Sequence, residues 1–220
     1  MSLTMRAGTV DDIDRLVEIY FSAFADNAVQ HRVFPESSPQ VRPFWRNNFV
    51  NDFKEDYVRF RVMEQPSSGD SEGKKEIVAF AIWNAPRKPT DPIPAMPPRE
   101  AWPSDGDQDA AVEFFHDLER QHKSYMAHPI NPGEQQPHWY LELIATHRDH
   151  QGKGAAGALL RWGEQQADEQ GVPCYLDATP DGRPVYTSKG HGFREVESRT
   201  YFGGVYEHVF MIRDPKKKDE

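Results

Sequence analysis

The chain has 220 residues, 37% of them hydrophobic, and a formal net charge of -9 at pH 7. That length and composition support one α/β core with insertions, and the acidic balance argues against nucleic-acid or anionic-membrane partners, which call for a basic face. The single cysteine, Cys174, excludes an intrachain disulfide framework and a cysteine-rich metal site.

A soluble protein of a reducing, cytoplasmic compartment is therefore the expectation. The opening MSLTMRAGTVDDIDRL has no basic segment followed by an apolar run, and no stretch approaches the roughly 20 apolar residues of a membrane span. The closing PKKKDE reads as a solvated chain end. The expected organisation is one domain over residues 1–214, a proline-rich insertion at 85–106 and a charged tail at 215–220.

In chain order, a short strand at residues 3–6 precedes a T-x-x-D capping signal, Thr9 and Asp12, and a helix with Ile13, Leu16, Val17, Tyr20, Phe21 and Phe24 on one face. Residues 26–40 read as a loop, and a second helix is predicted over 41–55, where Trp45, Phe49 and Phe53 are spaced by four. Val58, Phe60 and Val62 alternate as in a half-buried strand, and after the polar QPSSGDSEGKKE turn IVAFAIW (77–83) has the continuous apolar character of a central strand. The seven prolines of residues 85–106 preclude regular structure over most of that stretch, which reads as an ordered cover loop or a disordered insert. Helical spacing resumes at Val112, Phe115, Leu118, His122 and Tyr125. Then come a strand in HWYLELIAT (138–146), a helix from Gly152 to about Gln170 capped by Gly171, and a strand in VPCYLDAT (172–179). A short helix or turn in GRPVYTSKG and two strands near 193–201 and 205–213 close a mixed α/β sheet.

The segment HRDHQGKGAAGALL places a glycine-rich turn between a strand and a helix N-terminus, where unpaired N–H groups and the helix dipole favour an anion. A Walker loop is excluded, because no Lys-Ser or Lys-Thr follows the glycines. Gly152, Gly154 and Gly157 do spell G-x-G-x-x-G, with Asp177 further on. In a dinucleotide fold, however, the glycines follow directly on the first strand; here HRDHQ intervenes and several strands come earlier. The third form, [QR]-x-x-G-x-[GA], fits Gln151, Gly152, Lys153, Gly154, Ala155 and Ala156, with Leu159 and Leu160 as the helix core.

That loop, the spacing around it and the element order over residues 3–213 resemble the GNAT superfamily of acetyl-CoA-dependent acetyltransferases. HWYLELIATHRDHQGKGAAGALL, GVPCYLDATPDG and VYTSKGHGF are similar to the small-molecule branch that includes puromycin acetyltransferase. The resemblance implies a mixed, mostly antiparallel central sheet flanked by helices, and acetyl-CoA as acyl donor. It also implies that the backbone of Ile144, Ala145 and Thr146 holds the pantetheine arm and that the amides of residues 151–156 hold the pyrophosphate. Arg148, where the family has proline, and Lys153 read either as phosphate contacts or as solvated loop charges.

Attack of an amine on a thioester needs a proton acceptor, a stabilised oxyanion and help for the departing thiolate. By the resemblance, Tyr186 is the candidate acid for the thiolate, although strict spacing from Phe193 puts Ser188 in that place. Glu142, an acid in an apolar strand, and Asp177, near the end of the next strand, are the candidate proton acceptors. His138 reads as a relay or as a surface cap, and Cys174 as a core residue. No histidine spacing suits a metal. Residues 25–40 and 85–106 are expected to set the acceptor's identity, with Phe24, Phe44, Trp45, Trp83, Trp102 and Trp139 as candidate pocket rings. The expected activity is acetyl transfer to a small-molecule amine; a protein or peptide lysine acceptor, or a non-catalytic acyl-CoA sensor, are the alternatives.

Overall fold

The computed structural model describes residues 3–67, 75–88 and 95–216. Among these, seven strands form one sheet: β1 (Thr4–Ala7), β2 (Val58–Pro66), β3 (Lys75–Asn84), β4 (Trp139–Thr146), β5 (Cys174–Ala178), β6 (Arg194–Tyr201) and β7 (Tyr206–Arg213), in the order β1-β2-β3-β4-β5-β7-β6. Only β4 and β5 are parallel; the other neighbours are antiparallel, which gives the mixed, mostly antiparallel sheet expected. A parallel pair needs a crossover, and α5 (Ala155–Gln170) supplies it.

The remaining helices are α1 (Ile13–Ala23), α2 (Ala28–Val33), α3 (Val41–Asp52), α4 (Gln108–Tyr125) and α6 (Arg183–Thr187). The capping signal before α1 is made as read: the Thr9 N–H donates to the Asp12 carboxylate at 2.8 Å, and Arg6 pairs with the same group at 2.7 Å. Helix α2 corrects the reading of residues 26–40 as a loop. The Asn27 side chain accepts from the N–H groups of Val29 and Gln30, and Val29 and Val33 are buried, so one cap and two apolar contacts suffice for a helix too short to show a period. Helix α5 starts at Ala155 rather than Gly152, because Gly152 and Gly154 take left-handed φ values of 72° and 86°. The central part of the QPSSGDSEGKKE turn and residues 89–94 of the proline-rich stretch lie outside the described residues. No helix among the described residues is long and apolar enough to cross a membrane.

The sheet is apolar on both faces. Helices α1 to α4 cover one, where Leu16, Tyr20, Phe49, Phe80, Ile82 and Phe114 share a buried cluster. Helix α5 covers the other with Leu159, Leu160 and Ala167 against Leu141, Cys174 and Leu176. Trp83 and Trp139 also belong to this second face, so they are core residues of the α5 side and not pocket rings. Trp83 is fully buried, and its indole N–H donates to the Leu159 carbonyl at 3.3 Å. It passes so close to α5 that a Cβ on Gly163 would lie 2.3 Å from the ring.

Gly163→Ala therefore overpacks this contact. It should lower unfolding stability by about 1–3 kcal/mol, even though alanine favours a helix interior by up to ~1 kcal/mol. A urea midpoint equal to that of the unsubstituted chain would contradict the packing described.

Candidate functional site

The site begins with a fault in β4. Residues 79 to 82 of β3 face Thr146 back to Leu143, but Trp83 faces Leu141, leaving Glu142 with no residue opposite. Such a bulge bends its strand and re-aims its side chains. Trp139 and Leu141 point into the α5 side, whereas Leu143 and Ala145 join the cluster under α1. On the other edge, β4 pairs with β5 only through Trp139, Tyr140 and Leu141 against Cys174, Tyr175 and Leu176. Beyond this point the strands part. Glu142 and Asp177 are the first residues past the last pair, one on each arm of the fork.

The fork opens into a cavity of about 1030 Å³. Its wall at one end includes Ile144, Ala145 and Thr146 of β4 and Gln151, Gly152, Gly154, Ala155 and Ala156 of the turn before α5. The first bond inside α5 runs from the Ala158 N–H to the Gly154 carbonyl at 3.1 Å, so the amides of Ala155, Ala156 and Gly157 precede the helix's own hydrogen bonding. A Cβ at Gly152 or Gly154 would meet nothing within 4 Å, which leaves the backbone open to a ligand. The Thr146 hydroxyl oxygen is buried without a hydrogen-bond partner among the described residues. Arg148 and Lys153 are exposed and turned elsewhere: Arg148 pairs with Asp26 at 2.8 Å, and Lys153 donates to the Asp149 carbonyl at 2.8 Å.

The other end is aromatic and rich in carboxylates, with Arg87 and Lys88 also in its lining. Asp52, Glu119, Glu142 and Asp177 contribute carboxylates from four different elements. Glu142 is exposed, but into the cavity, and it accepts from the Asn84 amide at 2.9 Å through Oε2. Surrounding protein pushes its carboxyl above the usual range, opposed by the Asn84 hydrogen bond. Asp52 is pushed up to about 8, first by burial and then by the charge of Glu142. Asp177 accepts the Tyr175 hydroxyl at 2.6 Å and the Tyr140 hydroxyl at 3.2 Å, and burial pushes it up to about 7 in spite of both bonds.

Behind these phenols lie two histidines. His122 stacks on Tyr175 with ring centroids 4.5 Å apart and lies 4.3 Å from Tyr140. The Nε2 atoms of His122 and His138 are 2.7 Å apart, and His138 Nδ1 is 2.7 Å from the Gln136 carbonyl. His138 therefore donates through Nδ1 and receives the Nε2 proton of His122. Burial holds both below the ordinary imidazole range, so the pair is neutral. His138 is thus a buried wall residue of the cavity rather than a surface cap.

Tyr186 of α6 lines the cavity and is 6% exposed, and burial together with the charge of Asp177 raises its phenol. Ser188 is exposed, donates its hydroxyl to the Val185 carbonyl at 2.7 Å and stands outside the cavity wall. Of the candidate rings, Phe24, Phe44, Trp45 and Trp102 line the cavity. The proline-rich stretch adds Met96 and Pro97 to Trp102, and α2 adds Val29 and Gln30. Sequence reasoning passed over Asp52, Asn84, His122 and Tyr140. The last polar residue of an apolar strand, Asn84, carried a signal; His122 and Tyr140 sat in apolar patterns that read as core.

The sequence profile of the acetyltransferase (GNAT) family matches residues 77–193, more than half of the chain. Among solved structures, a Corynebacterium glutamicum protein titled histone acetyltransferase HPA2 and related acetyltransferase superposes with a TM-score of 0.60 at 24% identity, covering 100% of both chains. The Escherichia coli ribosomal-protein-S18-alanine N-acetyltransferase gives 0.54 at 15% identity, over 100% of this chain and 97% of the other. A chain of the NatC complex, solved with a Gag peptide and CoA, gives 0.54 at 12% identity, over 98% and 100%. These likenesses establish the shared fold, and the profile match establishes the family. The chain belongs to the acetyltransferase (GNAT) family, enzymes that draw the transferred group from an acyl-CoA donor.

Proposed function

We propose that the chain transfers the acetyl group of acetyl-CoA to a primary amine on a small molecule, and that it sits in the small-molecule branch its motifs resemble. The observation that carries this reading is the fork: unpaired β4 backbone, an open amide loop and two carboxylates meet along one cavity. The residues present fit the donor. Among the described residues the edge of β4 from Glu142 to Thr146 has no strand partner on the β5 side, and buried backbone groups require one. The amides at the start of α5 suit a pyrophosphate.

The acceptor end supports a small cation. At about 1030 Å³ the cavity is as large as the bigger ligand pockets, and helices α1 to α4 and the proline-rich stretch wall it with rings. Four carboxylates whose charges oppose one another favour an ammonium among them.

Bound acetyl-CoA supplies a thioester carbonyl for the amine to attack. The chain's part is to bind, to orient and to move protons. Glu142 is the proton acceptor in this account, because it faces the cavity and, among the described residues, only one of its oxygens accepts a hydrogen bond, from Asn84. Both oxygens of Asp177 already accept phenols, so Asp177 positions Tyr140 and Tyr175 instead. The raised Tyr186 phenol keeps its proton at neutral pH and can donate it to a departing thiolate. Ser188 has no part in this account.

Thiol release from acetyl-CoA, measured with a panel of small primary amines and a panel of lysine peptides, tests the reading. Turnover is expected with amines carrying an apolar body; turnover confined to peptides would overturn the acceptor class, and none with either would favour the sensor. With an active amine, kcat/KM should rise with pH through a midpoint above the ordinary carboxylate range, since Glu142 accepts a proton only when ionised and its carboxyl is raised. Glu142→Gln should remove that rise and lower kcat by about 100-fold or more, while Asp177→Asn should keep it. The opposite pair of profiles would exchange the two roles.

A further inference from the structure

The turn between α6 and β6 is clamped to α5 by buried polar contacts that the transfer chemistry does not use. Arg213, 2% exposed, donates from Nε to the His191 carbonyl at 2.8 Å and from its two Nη atoms to Asp168 of α5 at 2.8 and 2.7 Å. His191, itself 6% exposed, has Nδ1 at 2.6 Å from Glu164 Oε1, also on α5. The carboxylate fixes the ring's orientation and takes up Nδ1. His191 Nε2 is left without a hydrogen bond among the described residues.

That nitrogen is aimed at the first turn of α5. A Cβ built on Gly157 would lie 3.6 Å from His191 Nε2, and 3.4 and 4.0 Å from the two terminal nitrogens of Arg161. Arg161 is exposed and makes no ion pair or hydrogen bond among the described residues, yet its guanidinium folds back over its own helix to this point. Gly157 lines the same cavity as the loop glycines, and its bare Cα leaves room above it. A planar cation and helix-start amides thus converge on one open patch, with the His191 ring as its wall. That is the donor set of a phosphate site, with the guanidinium fork matching two phosphate oxygens.

We propose that Arg161, seated against the His191 ring at the first turn of α5, forms a subsite for a phosphomonoester, and that its occupant is the 3′-phosphate of CoA. The inference rests on the acyl-CoA reading above. If the thioester lies at the fork and the amides of residues 151–156 take the pyrophosphate, the one phosphate left lies on the ribose, further from the fork along the same molecule. Arg161 is the group that binds in this account. Glu164 and Arg213 position the histidine and do not touch the ligand.

Calorimetric titration of the full chain with CoA and with 3′-dephospho-CoA tests this without recourse to activity. The unsubstituted chain should bind CoA about tenfold more tightly than dephospho-CoA, the effect of one charge-assisted contact. Arg161→Ala, an exposed substitution that leaves the fold alone, should abolish most of that preference while leaving the affinity for dephospho-CoA unchanged. Equal affinities in the unsubstituted chain would overturn the subsite and leave the acyl-CoA reading standing. So would an Arg161→Ala variant weakened equally toward both ligands, since the contact would then be to the pyrophosphate. If neither ligand bound, the acyl-CoA reading itself would fall, and the subsite with it.

Discussion

Strand pairing between β4 and β5 stops after Leu141 and Leu176, and the arrangement of the site depends on that stop. A sheet normally satisfies each backbone group of an inner strand from both sides. Here the bulge at Glu142 bends β4 away, and the next residues present N–H and C=O groups to a cavity instead of a neighbour. The same extra residue reverses which side chains of β4 face α5 and which face α1, so one local defect both opens a slot and reshapes the wall beside it. It also leaves Glu142 and Asp177 flanking the apex, where a group lying between the strands would end.

The two ends of the cavity differ in their polar groups. Backbone amides and left-handed glycines make the α5 end a place for anions. Carboxylates raised by burial and by one another gather at the α3 and α4 end beside Arg87 and Lys88, and in the function proposed above they receive the acceptor's ammonium. In the function proposed above, an anionic donor and a cationic acceptor would enter from these two ends and meet at the fork. The neutral His122 and His138 pair packs against Tyr140 and Tyr175, whose phenols hold the Asp177 carboxylate in place.

How much of this the sequence disclosed varied with the physical range of each feature. The glycine turn was legible because its requirement is local: left-handed backbone at Gly152 and Gly154 and small residues at a helix start. Glu142 stood out as one acid in an apolar run. Helix α2 was missed because it is held by a single Asn27 cap and tertiary burial rather than by a repeating pattern. Trp83 and Trp139 were misplaced because ring chemistry says nothing of which sheet face a residue takes, and the bulge disturbs the alternation that would have told. The Tyr186 and Ser188 ambiguity was one of register, and α6 resolves their placement by turning Tyr186 inward and ending at Thr187. His122, Asp52 and Asn84 converge with Glu142 and Asp177 only through tertiary packing, which no spacing along the chain records.

The central claim is that the free edge of β4 and the turn before α5 together hold the acyl donor. Amide hydrogen exchange, followed residue by residue with and without acetyl-CoA, addresses it most directly. The account predicts new protection in residues 142–146 and 151–157, with little change along β1, β2 and β6. Protection confined to other parts of the chain, or none at a saturating concentration of acetyl-CoA, would contradict it.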